Sequence, residues 1–327
     1  MKVLVTGATG FIGGNLARAL TVKGYEVRAL VRPGSSTLTL ENTGVEEVPG
    51  DLLDPPSLAQ AMKGCQAVFH CAALYTFWSR DPRLVYRVNV EGTRTVLEEA
   101  WKARVEKVVY TSTVSTIGIP KGGVGTEELE ASPKDLVGHY KRSKYQAERE
   151  AMTAWGRGLP MVVVNPAAPV GPWDVKPTPT GGIIRDFLRG KLPAYINTGM
   201  NLVDVEDVAQ GHILALEKGK PGQRYILGNR NMTLKEIFEV LEGLTGKRGP
   251  RFKVPLNLAI ALGMVDHLIE GKILRRRPQI PLEGLRVAQK PMYVTSEKAV
   301  KELGLPQSPV EGALERAVHW FHDHGRV

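Results

Sequence analysis

Short apolar runs alternate with amphipathic stretches along the first half of the chain. The runs predict buried strands at residues 3–5, 26–31, 45–48, 67–71, 107–111 and 161–164. Between them, apolar residues recur at helical spacing and predict helices at residues 15–23, 55–62, 85–103 and 139–155. Apolar strands that alternate with helices are typical of a parallel sheet with helices on both faces. We therefore expect an α/β fold of the Rossmann type, built on a doubly wound parallel sheet.

Glycines cluster at the first turn from strand to helix. The segment TGATGFIG runs from Thr6 to Gly13, directly behind the first apolar run. Glycine lets the backbone approach a pyrophosphate closely, and the amides at the start of a helix favour the phosphate charge. An ordinary turn is the alternative, but the strand-turn-helix context favours a dinucleotide site. The segment supplies these expected cofactor-binding residues: Gly7, Thr9, Gly10, Phe11, Ile12 and Gly13.

The end of the second strand bears on which dinucleotide is bound. In such βαβ units an acid at the strand tip binds the ribose 2′-hydroxyl, whereas an arginine accommodates a 2′-phosphate. Arg32 occupies the tip, no acid lies at residues 27–40, and Ser35 and Ser36 add hydroxyl donors. A solvated surface arginine is the alternative. The local charge predicts NADP in preference to NAD, with Arg32 as a ligand.

The pattern changes after Pro166. Prolines and glycines become dense, and the helices that follow have no regular strand partners. We expect residues 1–165 to form the NAD(P)-binding Rossmann domain, with residues 201–228 returning to it. Residues 166–327 are expected to form mainly a smaller C-terminal substrate lobe. Ligands of open α/β folds bind at the carboxyl edge of the sheet, so this lobe would cover the site.

The composition is that of a soluble globular protein. Of the 327 residues, 43% are hydrophobic and 24% are charged, which argues against disorder. The longest apolar stretch, residues 256–265, is about half of what a bilayer requires, so we expect a core or pocket helix there and no membrane span. The chain begins in the first strand, with no room for a signal peptide, and its two cysteines, Cys65 and Cys71, suit a reducing compartment. These features predict a cytoplasmic protein.

The chain is basic, with a formal net charge of +9. Part of the excess lies at residues 272–277 and 247–248. Such a run can bind nucleic acid or a membrane surface, but a solvated loop is more usual and no nucleic-acid motif accompanies it. We expect no nucleic-acid partner. No metal is expected either, because His319, His322 and His324 lack a carboxylate or cysteine to complete a ligand set.

Tyr140 and Lys144 stand four apart on an expected helix, which places them on one face. A phenol has a pKa of about 10, and a neighbouring ammonium lowers that pKa toward the range useful for proton transfer. The hydroxyl-rich residues 111–116 end the fifth strand and can hold a substrate oxygen. Tyr-x-x-x-Lys alone is common by chance, but its order behind the glycine turn and the hydroxyl cluster predicts a catalytic site.

These motifs resemble an extended short-chain dehydrogenase/reductase of the NAD-dependent epimerase/dehydratase superfamily, over essentially the whole chain. The segments GDL at residues 50–52, HCAA at 70–73 and NVEGT at 89–93 add to the likeness. The stretches VRALVRPGS, DPRLVYRVNVEGT and VGPWDVKPTPTG are similar to the dihydroflavonol-4-reductase-like branch, and especially to the bacterial hopanoid-associated sugar epimerase group.

The resemblance implies roles for individual residues. It makes Thr113 the catalytic hydroxyl, with Ser112 as the fallback. It makes Tyr140 the general acid or base and Lys144 its pKa-lowering partner and ribose ligand. The other implied cofactor contacts are Asp51 and Leu52 at the adenine, Ala72 and Ala73 under the nicotinamide ribose, and the segment from Pro166 to Val170 at the carboxamide. Alternatively, Asp51 caps the next turn and the alanines are core residues. Asn89 is either a proton relay or structural.

Two departures from the family favour a reductase. Extended dehydratases carry an Asp-Glu pair after the catalytic threonine, whereas Val114 and Ser115 stand here. Nucleotide-sugar epimerases carry an arginine and an asparagine around the proline after strand six, and residues 165–168, NPAA, match neither place. We expect an NADP-dependent reductase or dehydrogenase of a ketone or secondary alcohol. The alternatives are a sugar or nucleotide-sugar epimerase and a non-catalytic NADP-binding sensor or scaffold.

The resemblance also implies partners. Relatives pair the long helix at residues 85–103 and the Tyr140 helix into a homodimer. Val96, Leu97 and Trp101 would supply the apolar surface, unless they face only the sheet. The aromatic loop at residues 75–78 could border a small-molecule substrate.

Overall fold

The computed structural model describes residues 1–274, 276 and 282–326. Its first half alternates strands with helices, as the pattern predicts. The strands are β1 (Lys2–Thr6), β2 (Glu26–Val31), β3 (Glu46–Pro49), β4 (Ala67–His70), β5 (Lys107–Thr111) and β6 (Met161–Pro166). The α-helices are α1 (Phe11–Val22), α2 (Pro55–Met62), α3 (Pro82–Tyr86), α4 (Gly92–Lys102) and α5 (Gly138–Gly156). A π-helical turn, Arg87–Glu91, joins α3 to α4, so the expected long helix begins earlier, at Pro82.

The second half adds short strands and more helices. The strands are β7 (Ala168–Val170), β8 (Ala194–Tyr195), β9 (Gly199–Asp204), β10 (Arg224–Leu227), β11 (Arg230–Thr233) and β12 (Phe252–Lys253). The helices are α6 (Pro179–Leu188), α7 (Val205–Lys218), α8 (Leu234–Thr245), α9 (Leu256–Asp266), α10 (Leu282–Val287), α11 (Glu297–Leu303) and α12 (Val310–Asp323). A π-helical turn, His267–Ile273, extends α9.

Seven parallel strands form the central sheet, in the order β10-β6-β5-β4-β1-β2-β3. One face is covered by α1 and α7, whose Leu16, Leu20 and Ile213 are completely buried. The other face is covered by α2, α4 and α5, with Leu58 and Ala147 completely buried. Helices on both faces of a parallel sheet confirm the doubly wound Rossmann-type fold.

A second, smaller sheet with the order β11-β9-β7 lies beyond β6. The sequence pattern missed it, because its strands are short and carry polar residues such as Asn201 and Asn231. Of the stretch 201–228 that we expected to return to the central domain, β10 pairs with β6 and α7 packs on α1, whereas β9 belongs to this small sheet. An apolar cluster that includes Phe187, Phe238 and Phe321 packs this part of the chain.

Two expectations about helices are corrected in part. Of the core or pocket helix expected at residues 256–265, the core alternative is wrong, because Gly263 is the only buried residue of α9. Of the two orientations left open for Val96 and Leu97, the structure shows the one that faces the sheet, whereas Trp101 is exposed. The homodimer itself stays a prediction. Within the described residues, no helix is both long and apolar enough to cross a bilayer.

Candidate active site

Residues from neighbouring strands meet at the carboxyl edge of the central sheet. Gly7, Ala72 and Thr113 follow β1, β4 and β5, which lie side by side. Parallel strands share this edge, so the residues that follow them gather there. Helix α5 brings Tyr140 and Lys144 to the same place, since Lys144 Nζ donates to the carbonyl of the last residue of β5.

The glycine turn is packed too tightly for a side chain at two of its three positions. Gly7 has a φ of +74°, and a Cβ there would lie 2.6 Å from Ala72 N. A Cβ on Gly13 would lie 2.3 Å from Gly7 O. On Gly10 the Cβ would meet only Gly7 O, at 3.2 Å. The fold therefore demands glycine at Gly7 and Gly13, while a Cβ at Gly10 would meet a single backbone oxygen beside the start of α1.

The start of α1 suits an anion. Gly10 stands at its N-cap and offers no side-chain cap to the first amides. Those amides have no intrahelical acceptors and carry the positive end of the helix dipole. Thr9, Phe11 and Ile12 lie half-buried beside the turn. The cradle fits a pyrophosphate by shape and by charge.

On the far side of β1, Arg32 is exposed directly after β2. Its carbonyl accepts a hydrogen bond from Ser35 N at 3.0 Å, and its guanidinium makes no hydrogen bond or ion pair among the described residues. Asp51 Oδ1 accepts from Leu53 N at 2.9 Å, which is the capping role that the sequence left open. Leu52 packs beside Gly92, whose Cβ would lie 3.1 Å from that of Leu52. The uncompensated cation at Arg32 suits a phosphate.

Tyr140 lies at the start of α5 and is only 9% exposed. The ring of Tyr75, in the loop after β4, packs on it with ring centroids 4.4 Å apart. Burial raises the pKa of Tyr140, and a hydrogen bond with the Thr113 side chain partly offsets the rise. The structure thus brings Tyr140 and Thr113 together, and it places an aromatic residue of the expected substrate-bordering loop over them.

Lys144 is the least exposed charged group near Tyr140, at 2%. Its Nζ donates to Tyr110 Oη at 3.0 Å and to Thr111 O at 2.8 Å. Burial lowers its pKa to about 8, and the Glu148 carboxylate opposes that shift. The cation is directed to Tyr110 rather than to Tyr140. Burial leaves the pKa of Tyr140 raised, where the sequence led us to expect a lowered one.

A buried carboxylate, Glu148, organises the hydroxyl segment after β5. Glu148 is 6% exposed, and its Oε2 accepts from Ser112 Oγ, from Thr116 Oγ1 at 2.7 Å and from Asn165 Nδ2 at 3.0 Å. Its Oε1 pairs with Arg224 at 3.1 Å. The hydroxyl of Ser112, the fallback catalytic group, is therefore engaged by Glu148, which leaves Thr113 as the hydroxyl beside Tyr140.

Asn89 is fully engaged in holding the loop after β4. Its Oδ1 accepts from Leu74 N at 2.7 Å, and its Nδ2 donates to Leu74 O at 3.2 Å and to Ser143 Oγ at 2.9 Å. It is 1% exposed. Of the two roles that the sequence left open, the geometry favours the structural one.

The remaining expected cofactor residues differ in accessibility. Ala73 is exposed and Ala72 half-buried, with Ala72 N directed to Thr6 Oγ1 at 3.4 Å. Pro166 ends β6. Val170 is 2% exposed and packs in the apolar cluster that includes Phe187 and Phe238, so only its backbone is available to a ligand.

Sequence reasoning missed Glu148, Asn165 and Arg224. One signal was available for the first, because Glu148 follows Lys144 by four residues and so shares its helix face. The partners of Glu148 come from distant segments and need the fold. In the part of the chain that the structure describes, no three His, Cys, Asp or Glu side chains gather as a metal site. The basic run at residues 272–277 lies partly outside the described residues.

Known proteins resemble this chain over nearly its full length. A putative dihydroflavonol 4-reductase from Synechocystis sp. is 49% identical, and the match covers 99% of this chain and 95% of that protein. Sterol demethylase protein B from Methylococcus capsulatus is 35% identical over 100% of both chains. The crystal structure of gox2253 is 41% identical, covers 99% of each chain and superposes with a TM-score of 0.89.

A family model also matches. It is that of the NAD dependent epimerase/dehydratase family, and it matches residues 3–228, from β1 through β10. The match includes the glycine turn, the hydroxyl segment and the Tyr140 helix. The chain therefore belongs to the NAD dependent epimerase/dehydratase family and is an NAD(P)-dependent enzyme of the extended short-chain dehydrogenase/reductase type.

Proposed function

We propose that this enzyme is an NADP-dependent carbonyl reductase that interconverts a ketone and a secondary alcohol. The observation that carries the proposal is the cluster of Tyr140, Thr113 and Lys144 at the carboxyl edge of the sheet, next to the glycine turn. One group can exchange a proton, one can hold an oxygen and one supplies positive charge. Together they serve a reaction in which charge develops on a carbonyl oxygen.

The chain's own groups have distinct tasks in this proposal. The cofactor, when bound, supplies the hydride through C4 of its nicotinamide. Thr113 donates a hydrogen bond to the substrate oxygen and holds it beside Tyr140. Tyr140 gives its phenolic proton to that oxygen during reduction and takes the proton back during oxidation. Lys144 favours the phenolate through its charge.

The cofactor-binding residues follow the same geometry. Gly10 and the first amides of α1 would hold the pyrophosphate. Arg32, which lacks a protein partner among the described residues, would bind the 2′-phosphate of NADP. Asp51 and Leu52 would border the adenine, and Ala72 and Ala73 the nicotinamide ribose. The backbone from Pro166 to Val170 would meet the carboxamide.

A reductase is favoured over an epimerase by the residues around the reacting centre. Val114 is buried next to Thr113, where dehydratases place an acid. The reductase name of the Synechocystis relative agrees with this direction. An epimerase stays the second candidate, because the family includes both activities.

The test is a screen of NADPH oxidation against aromatic ketones, aldehydes, keto-sugars, flavanonols and sterol ketones, with Tyr140→Phe as the control. A reductase consumes one NADPH for each carbonyl reduced, and the control is inactive. Conversion of a sugar without net change of cofactor would identify an epimerase instead. Tight cofactor binding with no conversion of any carbonyl or sugar would point to the sensor alternative.

A further inference from the structure

Helix α9 and its π-helical extension expose an unusual amount of apolar surface. Nine of the nineteen exposed large apolar side chains among the described residues lie at residues 252–274. We call these nine the apolar ridge; they are Phe252, Leu258, Leu262, Met264, Val265, Leu268, Ile269, Ile273 and Leu274. Monomeric soluble proteins rarely expose contiguous apolar patches of this kind, and those that do use them for binding.

Four of the nine ridge residues follow a helical stripe. Leu258, Leu262, Val265 and Ile269 are spaced four, three and four residues apart, and they are 53%, 51%, 57% and 46% exposed. Such spacing places side chains on one face of a helix. In most helices of soluble proteins that face packs on a core. Here it faces solvent, so its partner is not another part of the described chain.

Basic residues precede the ridge, and the segment of sequence that contains it is basic. Residues 247–286 hold nine Lys and Arg and three Asp and Glu, which accounts for +6 of the chain's net charge of +9. Arg248, Arg251 and Lys253 lie just before α9, are exposed, and form no ion pair with a described residue. An apolar helix face next to unpaired cations is the composition that binds the boundary of an anionic bilayer.

The ridge adjoins the active site. A cavity of about 290 Å³ lies between the loop after β4, the π-helical turn that extends α9, and α10, and its lining includes Phe77, Trp78, His139 and His267. His139 is the residue before Tyr140, and its N–H donates to Glu283 Oε1 of α10 at 3.2 Å. The cavity therefore lies between His267, which stands between ridge residues Val265 and Leu268 in the chain, and His139, the neighbour of Tyr140.

We propose that the apolar ridge and its basic border dock the enzyme on an anionic phospholipid surface, and that the substrate is an apolar, membrane-partitioned ketone or secondary alcohol. The docking places the cavity entrance at the lipid boundary, so that such a substrate enters without crossing water. The substrate class rests on the proposed function; the docking does not.

A second copy of the chain is a weaker candidate for the occupant. A two-fold contact through the ridge would bring the basic border of one copy close to the same basic border of the other copy. Like charges that face each other oppose association, whereas phosphate headgroups would neutralise them. Charge complementarity thus favours lipid over self-association.

Vesicle sedimentation of the full chain tests the docking. We expect it to bind vesicles of mixed phosphatidylcholine and phosphatidylglycerol, to bind phosphatidylcholine alone weakly, and to release at high salt. The double substitution Leu262→Glu and Val265→Glu should weaken binding by about tenfold or more, since it places charge in the apolar face. Val22→Glu is the matched control, because Val22 is 89% exposed and lies on α1, away from the ridge.

Several outcomes overturn the proposal. The first is that the unmodified protein does not sediment with anionic vesicles. The second is that the double variant sediments as well as the unmodified protein. The third is that Val22→Glu loses as much vesicle binding as the double variant. A dimer in light scattering that the double variant abolishes, without vesicle binding, would assign the ridge to a second copy. Vesicle binding in an enzyme that reduces no carbonyl would leave the docking standing and refute the proposed function. A reductase whose rate on a sterol ketone in vesicles is unchanged by the double variant would refute the delivery of substrate from lipid.

Discussion

Replacing Glu148 with glutamine should destabilise the fold and change the pH dependence of cofactor binding. The carboxylate is 6% exposed and accepts hydrogen bonds from Ser112, Thr116 and Asn165, while Arg224 pairs with its other oxygen. Glutamine keeps the shape but removes the charge, so Arg224 loses its ionic partner, and the amide group has only one oxygen to accept where the carboxylate accepts at both. Breaking a buried ion pair at one partner costs about 3–5 kcal/mol. We expect a loss of that order in the free energy of unfolding, measured by urea denaturation.

The same carboxylate supports the charge of Lys144. The pKa of Lys144 is lowered to about 8 by burial, and Glu148 raises it. Without Glu148, the pKa falls further, so the ammonium loses its proton at lower pH. NADPH binding, followed by fluorescence titration, should then weaken as pH rises and do so at a lower pH than in the unmodified enzyme. Lys144→Met should bind NADPH weakly and without this pH dependence.

The matched control is Glu150→Gln, two residues further along the same helix. Glu150 pairs with Arg94 at 2.7 Å, but the two side chains are 30% and 51% exposed. Exposed pairs contribute about 0–1 kcal/mol, so this variant should be close to the unmodified protein in stability. If Glu148→Gln loses no more stability than Glu150→Gln, or keeps the pH dependence of NADPH binding, then Glu148 does not organise the site.

Three further predictions concern single positions. Arg32→Asp should reverse the preference for NADP(H) over NAD(H) in a fluorescence titration; stronger binding of NAD(H) by the unmodified protein would contradict the assignment of Arg32. Tyr140→Phe should keep the cofactor bound and lower kcat by about 10²–10⁴-fold, while Thr113→Ala should lose less; a nearly fully active Tyr140→Phe would mean that the active site lies elsewhere. Lys141→Met should raise the thermal midpoint of unfolding at about pH 7, and should raise it less near pH 10. Burial lowers the pKa of Lys141 from 10.5 to about 8, so the folded state binds fewer protons than the unfolded state between pH 8 and pH 10.5. The buried ammonium therefore costs the folded state more at pH 7 than near pH 10. Lys107→Met is the control and should lower the midpoint, because Lys107 Nζ donates hydrogen bonds to two backbone carbonyls. Lys141 Nζ, by contrast, donates only to a methionine sulfur among the described residues. A lower midpoint in Lys141→Met would refute this reasoning.

The central sheet could be predicted from the sequence because its strands are continuous apolar runs separated by amphipathic helices. The same signal was misleading for α9. An apolar run such as that around Leu262 indicates burial in most soluble proteins, and a sequence does not show whether the fold provides a partner. The small sheet around β9 was missed for a related reason. Polar residues usually indicate exposure, but Asn201 is buried in this sheet because its side chain forms hydrogen bonds there.

The candidate site divides in the same way. The roles of Gly7 and Gly13 could be predicted from the sequence, because the lack of space for a side chain in a tight turn from strand to helix is a local steric effect. The partner of Lys144 could not, because Tyr110 and Lys144 are 34 residues apart and meet only when α5 packs on the sheet. Glu148 lies four residues after Lys144, a spacing that the sequence shows. A glutamate on a helix is usually solvated, however, and only the contact of the helix with β6 and β10 shows that this one is buried.

The protonation state of Tyr140 is consistent with the proposed direction of reaction. Burial raises the pKa of its phenol, and Lys144 is held by Tyr110 and Thr111 rather than by the phenol itself. At neutral pH the phenol therefore keeps its proton. Reduction of a ketone requires a proton donor at the moment when negative charge develops on the oxygen, whereas oxidation requires the phenolate. Tyr140 is accordingly in the protonated form from which a carbonyl oxygen takes its proton. Oxidation uses the phenolate, which the positive charge of Lys144 favours, so the same residues serve both directions of the reaction.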